Sequence, residues 1–464
     1  MFFKQYYLGC LSHASYFIES KGQAIVIDPQ RDIEQYLEEA RSRNVKIAYI
    51  IETHLHADFV SGHRELAERS GATIVMSHRA GATFAHKDVH NGDELTVGSI
   101  HLRFFETPGH TPEGISILAT NLDDASAPAK LFTGDTLFIG DVGRPDLSGG
   151  KGFTPAQMAE MLYDSLHEVI LKLDDSTEVY PAHGAGSLCG RNMSKETWST
   201  LGKQRAENDA LKPMSKADFV TMVTSGLPEA PKYFSTDVQI NRTGAPALSS
   251  IPKVPGMSPD EIRAEVQAGS LVLDVRPAEV YGPEHIPNSI NIGLDGQFAS
   301  WAGTMIGFHQ PLIIVGQHDQ ETGETITRLA RVGFTSVVGT LEGGIEAWKA
   351  AGYPTTHIPS ISVQQFAEVA EHPGEAVLLD VRRNAEFDTG AAPNAVSIPL
   401  AEIDEHIATL DPARKTYVVC GSGYRSSIAT SILEGHGFSD LINVEGGMTA
   451  YNAAKLPVVL PATA

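Results

Sequence analysis

The chain has 464 residues, of which 42% are hydrophobic and 20% are charged, as in ordinary globular proteins. One hydrophobic core does not extend over such a length, so we expect about two to four domains. The formal net charge of −22 disfavours nucleic acid and anionic membranes as partners, and we expect neither. Three cysteines exclude a disulfide framework and predict a cytoplasmic protein.

Residues 1–240 alternate between strand-like and helical patterns. Helical periodicity covers Ile33 to Arg41 and Thr154 to Leu173. The strand-like runs lie around these segments, at Ala24 to Asp28, Ile47 to Glu52, Thr73 to Met76, Ile100 to Phe105 and Leu131 to Thr133. The pattern predicts two β-sheets sandwiched between helices, with a functional site at the strand ends.

Four turns in this part carry histidine or aspartate next to glycine or proline, each after an apolar run. They read T-H-L-H-A-D-F (Thr53 to Phe59), T-P-G-H-T-P-E-G (Thr107 to Gly114), F-T-G-D-T-L-F (Phe132 to Phe138) and Y-P-A-H-G-A-G (Tyr180 to Gly186). Histidine and carboxylate side chains collected in loops on a rigid scaffold are typical of a metal site.

The first turn resembles the His-x-His-x-Asp-His cradle of the metallo-β-lactamase superfamily, in which the final Asp-His pair serves a second metal. Phe59 stands here in place of that last histidine, and a phenyl ring has no lone pair to donate. We therefore expect one metal rather than two, with coordination positions left open for chemistry.

Taken together, the four turns resemble the persulfide dioxygenases of that superfamily. The resemblance implies one Fe(II) per chain, held by His54, His110 and Asp135. It places three further side chains around these ligands, where they would orient them: His56, Asp58 and His183. If the metal were zinc in a hydrolase, His56 would instead be a direct ligand.

Two more residues are candidates for binding substrate. Arg144, in G-D-V-G-R-P-D, either binds a carboxylate of a thiol substrate or pairs with Asp141 or Asp146. Cys189 either holds a sulfur in the pocket or is a buried spectator. The simpler glutathione-linked relatives carry Asp-Tyr where this chain has 184–185, Gly-Ala, so the thiol carrier stays open.

After a proline-rich linker at 241–259, the chain carries two copies of one unit, at 260–357 and 358–464. L-V-L-D-V-R (Leu271 to Arg276) recurs as L-L-D-V-R (Leu378 to Arg382), and residues 316–334 align without gaps to residues 420–438. Alternating strands and helices predict an α/β unit with a mostly parallel sheet for each copy.

The second copy contains C-G-S-G-Y-R (Cys420 to Arg425) between an apolar strand and a helix. Inward-pointing amides and a helix N-terminus stabilise a thiolate there. The loop resembles that of rhodanese sulfurtransferases, which implies Cys420 as the nucleophile and Arg425 as its catalytic partner. The substrate would contact the loop residues Gly421, Ser422, Gly423 and Tyr424. The first copy has Gly316 at the nucleophile position, and we expect no sulfur transfer there.

These features predict a metallo-β-lactamase αββα sandwich followed by two rhodanese-like domains, the first without its cysteine. The expected activity is oxidation of a low-molecular-weight thiol persulfide by O₂ to sulfite, coupled to sulfur transfer that forms or consumes thiosulfate, in sulfide detoxification. We also expect a homo-oligomer. The alternatives are a zinc-dependent thioester hydrolase of the glyoxalase II type and a sulfur-carrier protein without catalysis.

Overall fold

The computed structural model describes residues 1–147, 152–227 and 229–460. Its first part contains a six-stranded sheet in the order β1-β2-β3-β4-β5-β6. These strands are β1 (Phe2–Leu8), β2 (His13–Ser20), β3 (Gln23–Ile27), β4 (Lys46–Ile51), β5 (Thr73–Ser77) and β6 (Lys87–Val89). A second six-stranded sheet has the order β12-β11-β10-β9-β8-β7. Its strands are β7 (Glu94–Val97), β8 (Ile100–Glu106), β9 (Ile115–Asn121), β10 (Lys130–Gly134), β11 (Glu178–Pro181) and β12 (Ser199–Thr200).

Helices cover the outer faces of both sheets. They are α1 (Glu34–Ser42), α2 (His63–Ser70), α3 (Pro155–Asp164), α4 (Leu201–Glu207), α5 (Lys216–Thr224) and α6 (Phe234–Thr243). The inner faces share one core, in which Ile27 of β3 and Phe104 of β8 are buried. A second core joins the first sheet to α1 and α2, and a third joins the second sheet to α3 and α5. The layers are therefore helix, sheet, sheet and helix.

Two parallel strand pairs place the candidate site. Strands β3 and β4 are parallel in the first sheet, and β10 and β11 are parallel in the second. Asp28 follows β3, His54 lies three residues beyond β4, Asp135 follows β10, and His183 lies two residues beyond β11. Since parallel strands end at the same edge of a sheet, these side chains come together.

The remaining chain forms two five-stranded sheets, β13-β17-β16-β14-β15 and β18-β22-β21-β19-β20, whose paired strands are all parallel. The first has β13 (Gly256–Met257), β14 (Leu271–Asp274), β15 (Ile290–Asn291), β16 (Leu312–Val315) and β17 (Val337–Leu341), with α7 (Pro259–Gln267), α8 (Ala278–Tyr281), α9 (Phe298–Met305), α10 (Asp319–Ala330) and α11 (Gly344–Ala350). The second has β18 (Ser360–Ile361), β19 (Val377–Asp380), β20 (Val396–Ser397), β21 (Thr416–Val419) and β22 (Leu441–Val444), with α12 (Val363–Glu371), α13 (Asn384–Asp388), α14 (Ile403–His406), α15 (Tyr424–Gly435) and α16 (Gly447–Ala453).

The Asp-Val-Arg segment has the same geometry in both copies. The guanidinium of Arg276 donates to the carboxylate of Asp274, and that of Arg382 donates to Asp380. All four side chains are buried. Within each pair, the aspartate and the arginine compensate each other's charge at the end of a central strand. These residues therefore serve as structural ion pairs in the fold.

The predicted fold class, an αββα sandwich followed by two α/β domains with parallel sheets, is confirmed. The linker predicted over 241–259 stays a prediction: α6 reaches Thr243, and β13 begins at Gly256. In the described ranges of the chain, no helix combines the length and the apolar character that crossing a bilayer requires.

We predict that Ile313→Ala lowers the free energy of unfolding of its domain by about 2–5 kcal/mol, because a fully buried side chain in the central strand β16 leaves a cavity. Denaturant unfolding followed by the fluorescence of Trp301 and Trp348, in the same domain, measures it. Val266→Ala, at a position 41% exposed, is the control and should change the value by less than about 0.5 kcal/mol.

Candidate metal centre and sulfur-transfer loop

His54, His110 and Asp135 converge on one point in the first part of the chain. The Nε2 atom of His54 lies 3.7 Å from Asp135 Oδ2, and His110 Nε2 lies 3.4 Å from the same oxygen. All three side chains are buried, and among the described residues Asp135 Oδ2 has no hydrogen-bond partner. A buried carboxylate oxygen without a partner, facing two ring nitrogens, fits a metal cation between them.

The other ring nitrogen of each histidine ligand is held by a neighbouring oxygen. Thr53 Oγ1 donates to Asp28 Oδ2 at 2.8 Å, so it accepts from His54 Nδ1 at 2.9 Å. His110 Nδ1 donates to the carbonyl oxygen of Arg144 at 2.9 Å. With the proton fixed on Nδ1, each Nε2 lone pair is available to a metal.

Asp58, His183 and Asp135 form a continuous chain of charged groups. His183 Nδ1 lies 2.7 Å from Asp135 Oδ1, and its Nε2 lies 2.8 Å from Asp58 Oδ2. Burial lowers the pKa of His183, but the two carboxylates outweigh it and raise this pKa well above its usual range. The ring thus lies between two carboxylates, and its contact with Oδ1 leaves Asp135 Oδ2 facing His54 and His110.

His56 points to a different set of carboxylates. Its Nε2 lies 3.3 Å from Asp28 Oδ1 and 3.4 Å from Glu52 Oε2. Burial lowers the pKa of His56, yet these carboxylates raise it to about 10. Phe59 packs against this ring with centroids 4.5 Å apart, and against His13 at 4.1 Å. The phenyl ring therefore fills the space beside His56 with apolar atoms.

The donor set as a whole is two imidazole nitrogens and one carboxylate oxygen in a buried position. This combination is typical of mononuclear non-haem iron sites, whereas structural zinc sites have four protein ligands. The residues present therefore fit a single metal ion that keeps coordination positions open for reactants. They lie where the first sheet and the second sheet bring their strand ends together.

The two candidate substrate residues both lie in the interior. Arg144 is 2% exposed and donates to Asp146 through Nε at 3.1 Å and Nη2 at 2.6 Å. Cys189 is 1% exposed, and its Sγ lies within 4.8 Å of ligand atoms of Asp58 and His183. Burial raises the pKa of the Cys189 thiol well above its usual range, and the nearby carboxylates add to this effect. Cys189 is therefore a buried thiol beside the candidate metal ligands.

Cys420 lies at the N-terminus of α15 and is fully buried. Its Sγ accepts from the backbone N–H of Gly423 at 3.1 Å and from Ser426 Oγ at 3.4 Å. Gly423 has φ +102°, a left-handed conformation that aims its amide at the sulfur. The structure thus places Cys420 in an anion-stabilising turn, with Gly421 and Ser422 between it and Gly423.

The other two predicted loop residues point elsewhere. Tyr424 Oη donates to the carbonyl oxygen of Gly293 at 2.8 Å, in the preceding copy. Arg425 donates to Glu386 through Nη1 and Nη2, both at 2.7 Å. In the described part of the chain, the loop guanidinium is therefore bound to a carboxylate from α13.

Three carboxylates with direct contacts to predicted site residues were missed by the sequence analysis, namely Asp28, Glu52 and Glu386. Asp28 follows the buried strand β3, as Glu52 follows β4, so strand-end position was an available signal. Glu386 lies four residues after Arg382 in an ordinary helical pattern. Sequence gave no signal for its contact with Arg425, because these residues are 39 positions apart.

Comparison with known families reproduces this division of the chain. Residues 8–183 match the model of the metallo-beta-lactamase superfamily, and residues 258–351 and 362–454 each match that of the rhodanese-like domain.

Individual relatives point to two activities. The mitochondrial persulfide dioxygenase ETHE1 of Bos taurus is 32% identical over 207 residues, which are 43% of this chain and 71% of that protein. A hydroxyacylglutathione hydrolase of Polaromonas is 34% identical over 165 residues, 35% of this chain and 57% of that protein. A crystal structure titled metallo-beta-lactamase from Staphylococcus aureus is 32% identical and covers 73% of this chain and 98% of its own, with a TM-score of 0.65.

We predict that His183→Gln weakens metal binding by about 10–100-fold, because Asp135 loses the imidazole ring that orients it. Metal content per chain, measured by mass spectrometry after equilibration in metal-buffered solutions, gives the affinity. His167→Gln is the matched control, because the Nε2–H of that half-buried ring donates to the carbonyl oxygen of Ala210 in a separate helical segment. Equal affinities for both variants would refute the orienting role of His183.

Proposed function

Because the chain belongs to the metallo-beta-lactamase superfamily and continues into two rhodanese-like domains, we propose that it is a persulfide dioxygenase coupled to a sulfurtransferase. The proposed substrates are a low-molecular-weight thiol persulfide and O₂. Sulfite is the first product, and thiosulfate is formed or consumed at the second site. The role fits sulfide detoxification.

The observation that carries the proposal is the three-residue donor set. His54, His110 and Asp135 face one another, whereas His56 faces Asp28 and Glu52. A hydrolase with two metals needs a second complete ligand group, and Phe59 supplies no donor to it. One metal with few protein ligands favours oxygen chemistry.

Iron(II) held by these three side chains would supply the redox chemistry for activating O₂, which amino-acid side chains do not provide. In the overall reaction, one thiol persulfide, one O₂ and one water give one thiol, one sulfite and two protons. The outer sulfur of the persulfide is oxidised, and O₂ is reduced.

The protein's own groups around this centre bind and orient the reactants. Thr111 Oγ1 is buried beside His110 and has no hydrogen-bond partner in the part of the chain that the structure describes, so its hydroxyl is available to donate to a bound anion. Cys189 presents a thiol on the side of Asp58 and His183, where it can accept or relay a sulfane sulfur. Arg144, bound to Asp146, holds His110 through its own carbonyl oxygen.

At the second site, Cys420 attacks the outer sulfur of a persulfide. The new bond joins Cys420 Sγ to that sulfur, the old sulfur–sulfur bond breaks, and the thiol leaves with the proton. Sulfite then takes the outer sulfur and gives thiosulfate, which returns the Cys420 thiolate. The amide of Gly423 and the N-terminus of α15 stabilise that thiolate at both stages.

A metal-dependent thioester hydrolase is the second candidate, and the hydroxyacylglutathione hydrolase relative favours it. Hydrolysis of a thioester by this class uses a metal-activated water. This second function would be the correct one if the zinc-loaded protein cleaved a glutathione thioester and consumed no O₂ in the presence of a persulfide.

We predict that anaerobic reconstitution with Fe(II) gives an enzyme that consumes O₂ when a thiol persulfide is added. The zinc-reconstituted protein should consume no O₂, because zinc has no redox chemistry. An oxygen electrode combined with metal analysis measures it. Asp135→Ala should lose both bound iron and oxygen uptake, while Asp123→Ala, in the exposed turn after β9, should retain both.

We predict that Cys420→Ser reduces sulfur transfer to background and leaves oxygen uptake unchanged, because the two reactions use separate side chains. Oxygen uptake and thiosulfate production are measured on the same preparation. Loss of both activities in Cys420→Ser would show that the sites are not independent.

A further inference from the structure

The sulfur-transfer loop contains one cationic side chain, Arg425, and this guanidinium is already paired with the carboxylate of Glu386. Arg425 Nη1 and Nη2 each donate to one oxygen of Glu386 at 2.7 Å, in a two-point contact. This arrangement uses the face of the guanidinium that binds a flat oxyanion most strongly. Sulfite and thiosulfate present the same kind of oxygen pair as a carboxylate.

The pair lies directly over the loop that carries the nucleophile. A Cβ atom at Gly421 would be 3.0 Å from Arg425 Nη2 and 4.0 Å from Glu386 Oε1. Gly421 is the residue after Cys420, so the pair stands beside the first turn of the loop. An oxyanion bound to Arg425 would therefore lie next to the sulfur-carrying residue.

A second arginine nearby is not available for this task. Arg382 is 5% exposed and donates to both oxygens of Asp380, to Gly390 O and to Glu386 O. Its N–H groups are used by contacts that hold the domain together, as are those of Arg276 in the preceding copy. Binding of an oxyanion at the loop thus falls to Arg425.

The copy without a nucleophile has lost both members of the pair. In the gapless alignment of the two loops, Glu321 stands where the second copy has Arg425. Counting four residues from each Asp-Val-Arg arginine, Val280 stands where the second copy has Glu386. The arginine–carboxylate pair therefore accompanies the cysteine within this chain.

In that copy the loop is filled by its own carboxylate. Glu321 Oε2 accepts from the backbone N–H of Gln317 at 2.6 Å and of His318 at 3.3 Å. A Cβ atom at Gly316 would lie 2.8 Å from the same oxygen. A carboxylate thus lies where the nucleophile's side chain would begin, which shows that this loop geometry accepts an anionic oxygen.

We propose that Glu386 is a specificity-determining residue that occupies the oxyanion site of the sulfurtransferase loop, and that sulfite or thiosulfate binds by displacing it from Arg425. The inference rests on the sulfurtransferase part of the proposed function. Glu386 is held in place by helix α13, where its carboxylate also accepts from the backbone N–H of Arg383 at 3.2 Å. Its side chain is 40% exposed, so displacement moves it toward solvent.

This exchange favours persulfide donors, which carry no oxyanion, over inorganic ones. An alkyl persulfide requires no cation and reacts at Cys420 while Glu386 stays on Arg425. A dianion must compete with a tethered carboxylate for the same two N–H groups. The carboxylate therefore weakens binding of inorganic oxyanions without affecting attack by the cysteine.

The test compares thiosulfate binding in two proteins that cannot turn over, Cys420→Ser and Cys420→Ser with Glu386→Gln. Calorimetry with thiosulfate should give a Kd about tenfold lower for the second protein, because the competing charge is removed from a two-point contact. An unchanged or raised Kd overturns the proposal. Glu368→Gln in the same background removes one exposed charge from α12 of the same domain and should leave the Kd unchanged.

A kinetic measurement with Cys420 present separates competition from a structural role. Glu386→Gln should lower the KM for thiosulfate about tenfold and leave kcat, and the KM for an alkyl persulfide that carries no carboxylate, within about twofold. A fall in kcat with both donors means that Glu386 only positions the loop, and the proposal is then wrong.

The proposed function has its own readout, which is the gain of one sulfur atom by Cys420 in the unmodified protein, detected by mass spectrometry after incubation with a persulfide. Absence of that gain refutes sulfur transfer. The two binding constants in the Cys420→Ser background still decide whether Glu386 competes for Arg425, so the two failures are distinguishable.

Discussion

The candidate metal centre depends on one buried chain of charges, Asp58 to His183 to Asp135. His183 lies between the two carboxylates: its Nδ1 donates to Asp135 Oδ1, and its Nε2 lies 2.8 Å from Asp58 Oδ2, so Asp135 Oδ2 is left toward His54 and His110. Removing either carboxylate would leave the other charges uncompensated in a dry interior. The direction of the metal-binding oxygen therefore follows from contacts made behind it.

Carboxylates also orient the two histidines of the first turn. They direct His54 toward the candidate metal position and His56 away from it. Asp28 holds Thr53, whose hydroxyl orients His54, and together with Glu52 it draws His56 away from the metal position. A histidine motif that serves two metals in other members of the superfamily is thus divided here. The His54 ring faces the candidate metal position, and the His56 ring faces two carboxylates.

Paired charges also organise the two rhodanese-like domains. Each domain has a buried Asp-Val-Arg ion pair at the end of a central strand, and this pair belongs to the fold. The charges at the loops differ between the copies: Glu321 folds onto its own loop, whereas Arg425 is bound to Glu386. The two copies share the same scaffold and differ in the charged groups at their loops.

The sequence alone determined the fold class, through its repeated strand and helix patterns. It also located the four candidate metal-site turns and the cysteine loop, because each is a short segment whose residues are neighbours in the chain. Tertiary structure decided which way His56 faces, what holds Asp135, and what binds Arg425. Those answers depend on partners up to 125 positions apart, such as Asp58 and His183. The physical reason is that a side chain's charge and direction in a buried site are set by the groups around it, and only folding brings those groups together.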